Sequence, residues 1–185
     1  MFKYSKPYTF KKSDFGAFGK AFEMSIKDAL NRPNPDIVSK QGKPDFRYHR
    51  KCYDVKQNGT IIKYDTTTNY IEGSSRVIYA SHIAYKVISE DAETITFAIN
   101  LADTDMRVVD RREFVRFLLD NGHAKINKSR DTVNIQTLYN YKKDAYHGLK
   151  GYDIEAWTAE HEIDDDIIGD IWDGLKYWAL PEPEN

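Results

Sequence analysis

The chain has little cysteine and no long apolar run, and both absences narrow its class. Cys52 is the only cysteine, which excludes intrachain disulfides and zinc sites built from several cysteines. No apolar stretch approaches the roughly 18 residues that a membrane-spanning helix needs. The first residues are not followed by the apolar segment of a signal peptide, so we expect a soluble, cytoplasmic protein with no membrane partner.

Neither the spacing of the histidines nor any motif for reading DNA bases indicates a function. The five histidines form neither an HExxH motif nor a paired spacing, which argues against a histidine-based zinc enzyme. No helix-turn-helix or zinc finger is recognisable. The composition, with 41% hydrophobic and 14% aromatic residues, is typical of a globular protein. Because no break in composition divides the chain, we predict a single domain over residues 1–185.

The net charge of −2 hides a strongly uneven distribution. Residues 1–63 hold 14 Lys and Arg against 6 Asp and Glu, a local charge of +8, and residues 64–152 balance at 12 against 12. Residues 153–185 hold 1 basic residue against 11 acidic ones, a local charge of −10. A basic segment of this kind is expected where a protein contacts a phosphate backbone.

The triplet Asp54-Val55-Lys56 lies in this basic segment and is the pattern that most clearly suggests chemistry. Side chains alternate along a strand, so Asp54 and Lys56 project from one face while Val55 turns toward the core. This places a metal-ligating acid beside a cation. Lys56 is then positioned to hold a nucleophilic water or to stabilise charge on a phosphate.

A second acid, Asp45, follows Pro44 and precedes a short alternating segment. If the chain turns at His49 and Arg50, antiparallel pairing sets Asp45 opposite Asp54, with about 5 Å between their Cβ atoms. Two carboxylates so close repel unless a cation lies between them, and Mg²⁺ or Mn²⁺ suits such oxygen ligands. Asp36 also follows a proline and remains the alternative ligand, although it lies in a proline-rich segment.

Upstream, Ser13 or Asp14 caps a predicted helix that runs to about Leu30. Its apolar stripe has spacings of three and four and comprises Phe15, Phe18, Phe22, Ile26 and Leu30. Glu23 flanks this stripe, so it is the helix acid that can reach toward the sheet.

The order of helix, Pro-Asp and (Asp/Glu)-x-Lys over Ser13 to Lys63 resembles the PD-(D/E)xK nuclease superfamily. That superfamily includes restriction endonucleases, junction resolvases and nucleases of phages and mobile elements. The resemblance implies an α/β fold with a restriction-endonuclease-like mixed central β-sheet flanked by helices. It also implies Mg²⁺-dependent hydrolysis of DNA. Carried over by position, the catalytic and metal-binding residues are Lys56, Asp54, Asp45 and Glu23, with the Val55 carbonyl as a further ligand.

The basic residues around the triplet are candidates for binding the nucleic-acid backbone. They are Lys43, Arg47, Arg50, Lys51 and Lys63. Whether the substrate is duplex, branched or single-stranded DNA, or RNA, stays open, and cutting both strands favours a homodimer.

Patterning predicts further elements downstream. A strand is expected over Thr60 to Tyr64, and a hairpin from Arg76–Ile88 and Thr94–Leu101, although the first of these segments also fits a helix. Asp110 is predicted to cap a helix that ends at Asp120. Phe114, Phe117 and Leu118 are expected to point into the core. The arginines of this helix, Arg111, Arg112 and Arg116, are expected on its outer side. Residues 133–141 fit a strand or a helix.

The chain closes with an acidic amphipathic helix at about 164–178 that begins with three aspartates. We expect it to dock on the core, or to offer an acidic surface to a protein partner. Two alternatives to a nuclease also remain: a non-catalytic nucleic-acid-binding module on a nuclease-like scaffold, and a structural or interaction protein of a phage or plasmid.

Overall fold

The computed structural model describes residues 3–14, 16–31, 45–57, 61–63, 75–80, 83–127, 129, 132–135, 137–140, 145–149 and 154–178. The helices are α1 (Ala17–Asn31), α2 (Arg111–Asp120), α3 (Ile154–Glu160) and α4 (Ile167–Trp178). The first strands are β1 (Tyr8–Lys11), β2 (Phe46–Tyr48), β3 (Lys51–Gln57), β4 (Ile61–Lys63), β5 (Ser75–Ala80) and β6 (Tyr85–Glu90). The later strands are β7 (Thr94–Ile99), β8 (Met106–Asp110), β9 (Ala124–Asn127), β10 (Thr132–Ile135), β11 (Thr137–Asn140) and β12 (Ala145–Leu149).

The sheet that carries the Asp-x-Lys triplet is mixed, with strand order β2-β3-β5-β8. Strands β3 and β5 run parallel, whereas the β2–β3 and β5–β8 pairs are antiparallel. The predicted turn between β2 and β3 is confirmed: His49 and Arg50 connect the strands with φ angles of 46° and 62°. Both residues adopt the left-handed backbone conformation, which matches the twist of a tight hairpin although neither is glycine.

Three smaller sheets complete the strand pairing among the described residues. The antiparallel sheet β1-β7-β6 lies beside α1, a second sheet has the order β4-β10-β9, and β11 pairs with β12. The hairpin β6–β7 turns at Asp91, whose carboxylate accepts hydrogen bonds from the backbone N–H groups of Glu93 and Thr94. The chain is therefore a mixed α/β protein with more than the one central sheet that we predicted.

The four-stranded sheet separates two hydrophobic cores. One face packs Val55, Ile78 and Val108 against α1 and α4, together with side chains of the β1-β7-β6 sheet. The other face packs Val77 and Tyr79 against α2 and the Trp157 ring of α3. This alternation along β5 is what two covered faces of one sheet require.

Helices α2 and α4 follow the sequence predictions closely. The Asp110 carboxylate caps α2 by accepting from Glu113 N at 3.1 Å, and Gly122, with φ 72°, lies just beyond its end. The inward residues of α2 are confirmed as Phe114, Phe117 and Leu118. Helix α4 buries Ile167, Ile171 and Leu175 and packs on α1, where a Cβ on Gly174 would lie 1.7 Å from the Ala29 carbonyl oxygen.

Other predicted boundaries agree only in part with the structure. The segment 76–88 contributes β5 to the four-stranded sheet and β6 to another, so it is not a single strand, but β6 does form the predicted hairpin with β7. Helix α1 begins at Ala17 and not directly after Ser13 or Asp14, and the Asp14 carboxylate accepts from Gly16 N in the turn before the helix. For residues 133–141, where both a strand and a helix fitted the sequence, the described residues form the strands β10 and β11, which confirms the strand alternative. Phe15, on the predicted apolar stripe, lies outside the described residues.

Within the described part of the chain, no helix has the length and apolar character needed to cross a membrane.

Candidate functional site

The β2–β3 hairpin brings the two predicted acids opposite each other. Phe46 pairs with Tyr53, so Asp45, one residue earlier, lies across from Asp54, one residue later. The Asp45 side chain also closes the open end of the hairpin, because its Oδ2 accepts a hydrogen bond from Val55 N at 2.5 Å. The Val55 side chain is buried in the α1-facing core, as the alternation predicted.

The pKa of the Asp45 carboxyl depends on the charges of the other candidate residues. Burial raises its pKa to about 6, and the negative charges of Glu23 and Asp54 add to this rise. The positive charge of Lys56 and the Val55 N–H oppose it. The charges of Glu23, Asp54 and Lys56 therefore all act on the Asp45 carboxyl.

Glu23 reaches this cluster from α1 but is already engaged. Lys27, one helical turn further along, contacts Glu23 Oε1 through its Nζ at 2.5 Å. Both side chains are partly exposed. Glu23 thus adds negative charge to the surroundings of Asp45 while Lys27 partly balances it.

Asp54 is held by a residue that the sequence interpretation placed wrongly. Arg111, expected on the outer side of α2, is buried, and its Nη1 lies 3.2 Å from Asp54 Oδ2. The two side chains are 2% and 5% exposed. The spacing of Arg111 to Phe114 and Leu118 places all three on one face of α2, and this was the signal that could have revealed it.

The basic residues predicted to bind a backbone separate onto different surfaces. Arg47 is exposed and shares a sheet face with Asp54, since it pairs with Cys52, and Arg50 is exposed in the turn. Lys51 projects from the opposite face and contacts Asp165 Oδ2 at 3.3 Å. Lys63 lies in β4, whereas Lys43 and the alternative acid Asp36 lie outside the described residues.

Some of the aspartates at and near the start of α4 accept hydrogen bonds from other parts of the protein. Tyr53 donates to Asp165 Oδ2 at 2.9 Å, and Tyr48 donates to Asp170 Oδ2 at 2.6 Å. Burial disfavours the charged Asp165, but hydrogen bonds from Tyr53 and Ile167 N, and the charge of Lys51, outweigh it and lower its pKa. A cleft of about 440 Å³ opens between this helix end and the hairpin.

In the candidate site, the oxygens of Asp45 and Asp54 are the ones that could hold a metal ion. Among the described residues, no three His, Cys, Asp or Glu side chains come together closely enough to hold an ion as a group. Two carboxylates nevertheless fit Mg²⁺, which commonly takes one or two protein carboxylates and completes its shell with water and substrate phosphate. The arrangement therefore provides oxygen ligands and a neighbouring lysine, but no closed metal cage.

Comparison with protein-family models, with curated proteins and with solved structures finds no match to this chain.

Proposed function

We propose that this protein is a metal-dependent nuclease that hydrolyses DNA phosphodiester bonds at the cluster of Asp45, Asp54 and Lys56. The observation that carries the proposal is the β2–β3 hairpin, which ties the Asp45 carboxylate to Val55 N, beside the strand that presents Asp54 and Lys56 on one face. The raised pKa of Asp45 agrees with this placement. An acid with a raised pKa, surrounded by other charged groups, is unfavourable for folding and is typical of a functional site.

Asp45 and Asp54 are the residues that would hold Mg²⁺ or Mn²⁺, with the Val55 carbonyl as a further ligand. Such an ion polarises the phosphoryl oxygen and makes bound water a stronger nucleophile. The hairpin register sets Asp45 opposite Asp54, and the hydrogen bond from Val55 N fixes the Asp45 carboxylate. Glu23 assists through its charge on Asp45.

Lys56 contributes the positive charge at this end of β3. Its side chain is partly exposed, so it can meet a phosphate that approaches from solvent. A lysine ammonium held beside the scissile phosphate stabilises the charge that grows on the phosphoryl oxygens in the transition state. It also orients the attacking water through a hydrogen bond.

The arrangement of elements supports a restriction-endonuclease-like fold as part of this proposal. A helix with an acid, a hairpin with the two carboxylates and a mixed sheet covered by helices on both faces occur in the expected order. The additional sheets lie outside that expected core. DNA is the proposed partner, approached from the face that carries Arg47.

A non-catalytic nucleic-acid-binding protein on the same scaffold is the second candidate. One observation favours it: each acid of the cluster already has a protein cation close by, with Lys27 at Glu23, Arg111 at Asp54 and Lys56 near Asp45. Such a protein binds DNA with strong salt dependence but forms no metal-dependent product.

A nicking assay on supercoiled plasmid, with single-stranded DNA and RNA as parallel substrates, tests the proposal. Wild type, Asp45→Asn and Lys56→Met are compared in EDTA, Mg²⁺ and Mn²⁺. We expect cleavage by wild type only with a metal, and a loss of at least roughly 10²-fold in rate for each variant, the scale of one transition-state electrostatic contact.

Two control variants each remove one exposed charge away from the candidate site, one negative and one positive. Asp173→Asn and Lys12→Met alter residues that form surface ion pairs with Lys176 and Glu90. Both controls should cleave at the wild-type rate. Metal-dependent cleavage that is equal in all five proteins would refute the assignment of the site, and DNA binding without any product would favour the second candidate.

A further inference from the structure

The buried contact between Arg111 and Asp54 has a strong consequence for metal binding. Arg111 is the first residue of α2, and both side chains are almost completely removed from solvent. A carboxylate so placed is very unfavourable without a positive partner, and a guanidinium is a well-suited one. The ionised Asp54 carboxylate therefore needs a cation beside it in the folded protein.

The fold fixes this contact through the sheet. Asp54 pairs with Val77 on β5, and Val77 pairs with Val109 on β8. Arg111 lies two residues beyond Val109, after the Asp110 cap has set the start of α2. Asp54 and Arg111 are thus brought to the same sheet face by strand register, and the contact does not depend on a flexible loop.

A metal ion at Asp45 and Asp54 must share Asp54 with this guanidinium. Both are cations, so each weakens the other's interaction with the carboxylate in a poorly solvated site. The remaining acids do not compensate, because Glu23 contacts Lys27 and Asp45 is near Lys56. The described cluster is close to neutral before a substrate phosphate adds its negative charge.

From this geometry we infer that Arg111 is a positioning residue that acts as the internal counter-ion of Asp54 and competes with the metal for it. This inference rests on the proposed function and concerns the regulation of that site. Arg111 keeps Asp54 in place while no ion is bound. It also keeps metal affinity low until a phosphodiester supplies additional negative charge, which links metal loading to substrate binding.

The test compares wild type with Arg111→Met, Arg111→Lys and Val115→Ala. Methionine removes the charge but retains an unbranched side chain, and lysine keeps the charge. Val115 is a buried residue of the same helix, and its truncation weakens the core without changing any charge. Mn²⁺ affinity is measured by electron paramagnetic resonance of the free ion, and Tm is measured with and without Mn²⁺.

We expect Arg111→Met to lower Tm without metal, to bind Mn²⁺ at least about tenfold more tightly than wild type, and to recover Tm on addition of Mn²⁺. Arg111→Lys should retain the wild-type affinity. Val115→Ala should lower Tm and keep the wild-type response to Mn²⁺. A purely structural role for Arg111 predicts the same response to Mn²⁺ in Arg111→Met and Val115→Ala, and that result would overturn the inference.

If Arg111→Met does not fold, a measurement on the wild-type protein still tests the inference. The side-chain ¹H–¹⁵N signal of Arg111, assigned from its loss in Arg111→Lys, should shift as Mg²⁺ saturates the site. An unchanged signal contradicts the competition.

The cleavage assay separates this inference from the proposed function. Cleavage by wild type together with identical metal responses in Arg111→Met and Val115→Ala leaves the nuclease standing and removes the inference. Tighter Mn²⁺ binding by Arg111→Met without cleavage by wild type supports the inference and removes the nuclease activity. Failure of every variant to bind Mn²⁺, with no cleavage, removes both.

Discussion

The environment of the Asp45 carboxyl is unfavourable for its negative charge. Burial raises its pKa to about 6, and the neighbouring charges of Glu23 and Asp54 raise it further against the opposing effect of Lys56. In an unfolded chain the same group has a pKa near 3.9. The folded state therefore binds this proton more tightly than the unfolded state does, and ionisation of Asp45 costs stability.

The sign of this effect gives a pH-dependent prediction for Asp45→Asn. The free energy of unfolding of wild type should decrease as pH rises from about 4 to about 6, and the cost should persist above pH 6. Two pKa units correspond to about 3 kcal/mol, and partial exposure of Asp45 reduces this to about 1–2 kcal/mol. Asn carries no charge and still offers an oxygen to Val55 N.

Urea unfolding in EDTA at pH 4 and pH 7.5 measures this difference. Asp45→Asn should be more stable than wild type by about 1–2 kcal/mol at pH 7.5 and equal to it near pH 4. Destabilisation at pH 7.5 would show that the Asp45 charge stabilises the fold, contrary to the cause given for its raised pKa.

At the level of elements, the contact of α1 with α4 sets the geometry of the core beneath the hairpin. Gly174 on α4 faces the Ala29 carbonyl of α1 so closely that no side chain fits between them. Gly169 lies on the same helix, and a Cβ there would meet no atom within 4 Å. The two glycines therefore differ in packing while sharing a helix.

This difference predicts opposite effects of alanine. Gly174→Ala should lower the free energy of unfolding by about 2–4 kcal/mol, because the overlap forces the helices apart. Gly169→Ala should raise it by up to about 1 kcal/mol through better helix propensity. Thermal and urea unfolding followed by circular dichroism measure both, and equal effects of the two substitutions would contradict the close packing.

Local patterns in the sequence predicted those elements whose signals are local. The hairpin at His49 and Arg50, the Asp110 cap and the apolar faces of α2 and α4 all follow from alternation, capping residues and helical spacing. Strand partners are not local. Residues 76–88 have one continuous apolar character but divide between two sheets, since periodicity within a segment carries no information about its neighbours.

The relative positions of the candidate residues could be predicted only in part, for the same reason. The convergence of Asp45 with Asp54 follows from hairpin register, which a few residues determine. The contact of Arg111 with Asp54 depends on the pairing of β3 with β5 and of β5 with β8. Helical spacing placed Arg111 on the buried face of α2, but its charge favoured the solvent side in a reading of sequence alone.

Across the whole molecule, the charges near the hairpin belong to two surfaces. Arg47 is exposed on the sheet face that carries Asp54, whereas Lys51 projects from the other face and contacts Asp165 at the start of α4. The acidic helix end therefore already neutralises one of the basic residues that the sequence offered for DNA binding. Of the described hairpin residues Arg47 and Lys51, Arg47 is the one on the face that the proposed nuclease would present to a phosphate backbone.

This separation predicts different effects of two neutral substitutions on DNA binding. Arg47→Gln should weaken binding about equally for all DNA sequences and reduce the slope of log K against log salt by about 1, the value for one lost phosphate contact. Lys51→Gln should leave that slope unchanged. Fluorescence anisotropy over a range of NaCl concentrations measures both slopes, and an equal reduction in the two variants would contradict the assignment of faces.

The hairpin holds Asp45, Asp54 and Lys56 within a short stretch of chain, whereas Arg111 comes from a helix much further along. The hairpin alone therefore brings two like charges together without the compensating charge of the distant arginine. The contacts within the hairpin are close in sequence, whereas the arginine that stabilises Asp54 is distant in sequence. We expect an excised hairpin peptide to stay unstructured in water, so the acidic site exists only as a product of the completed tertiary structure.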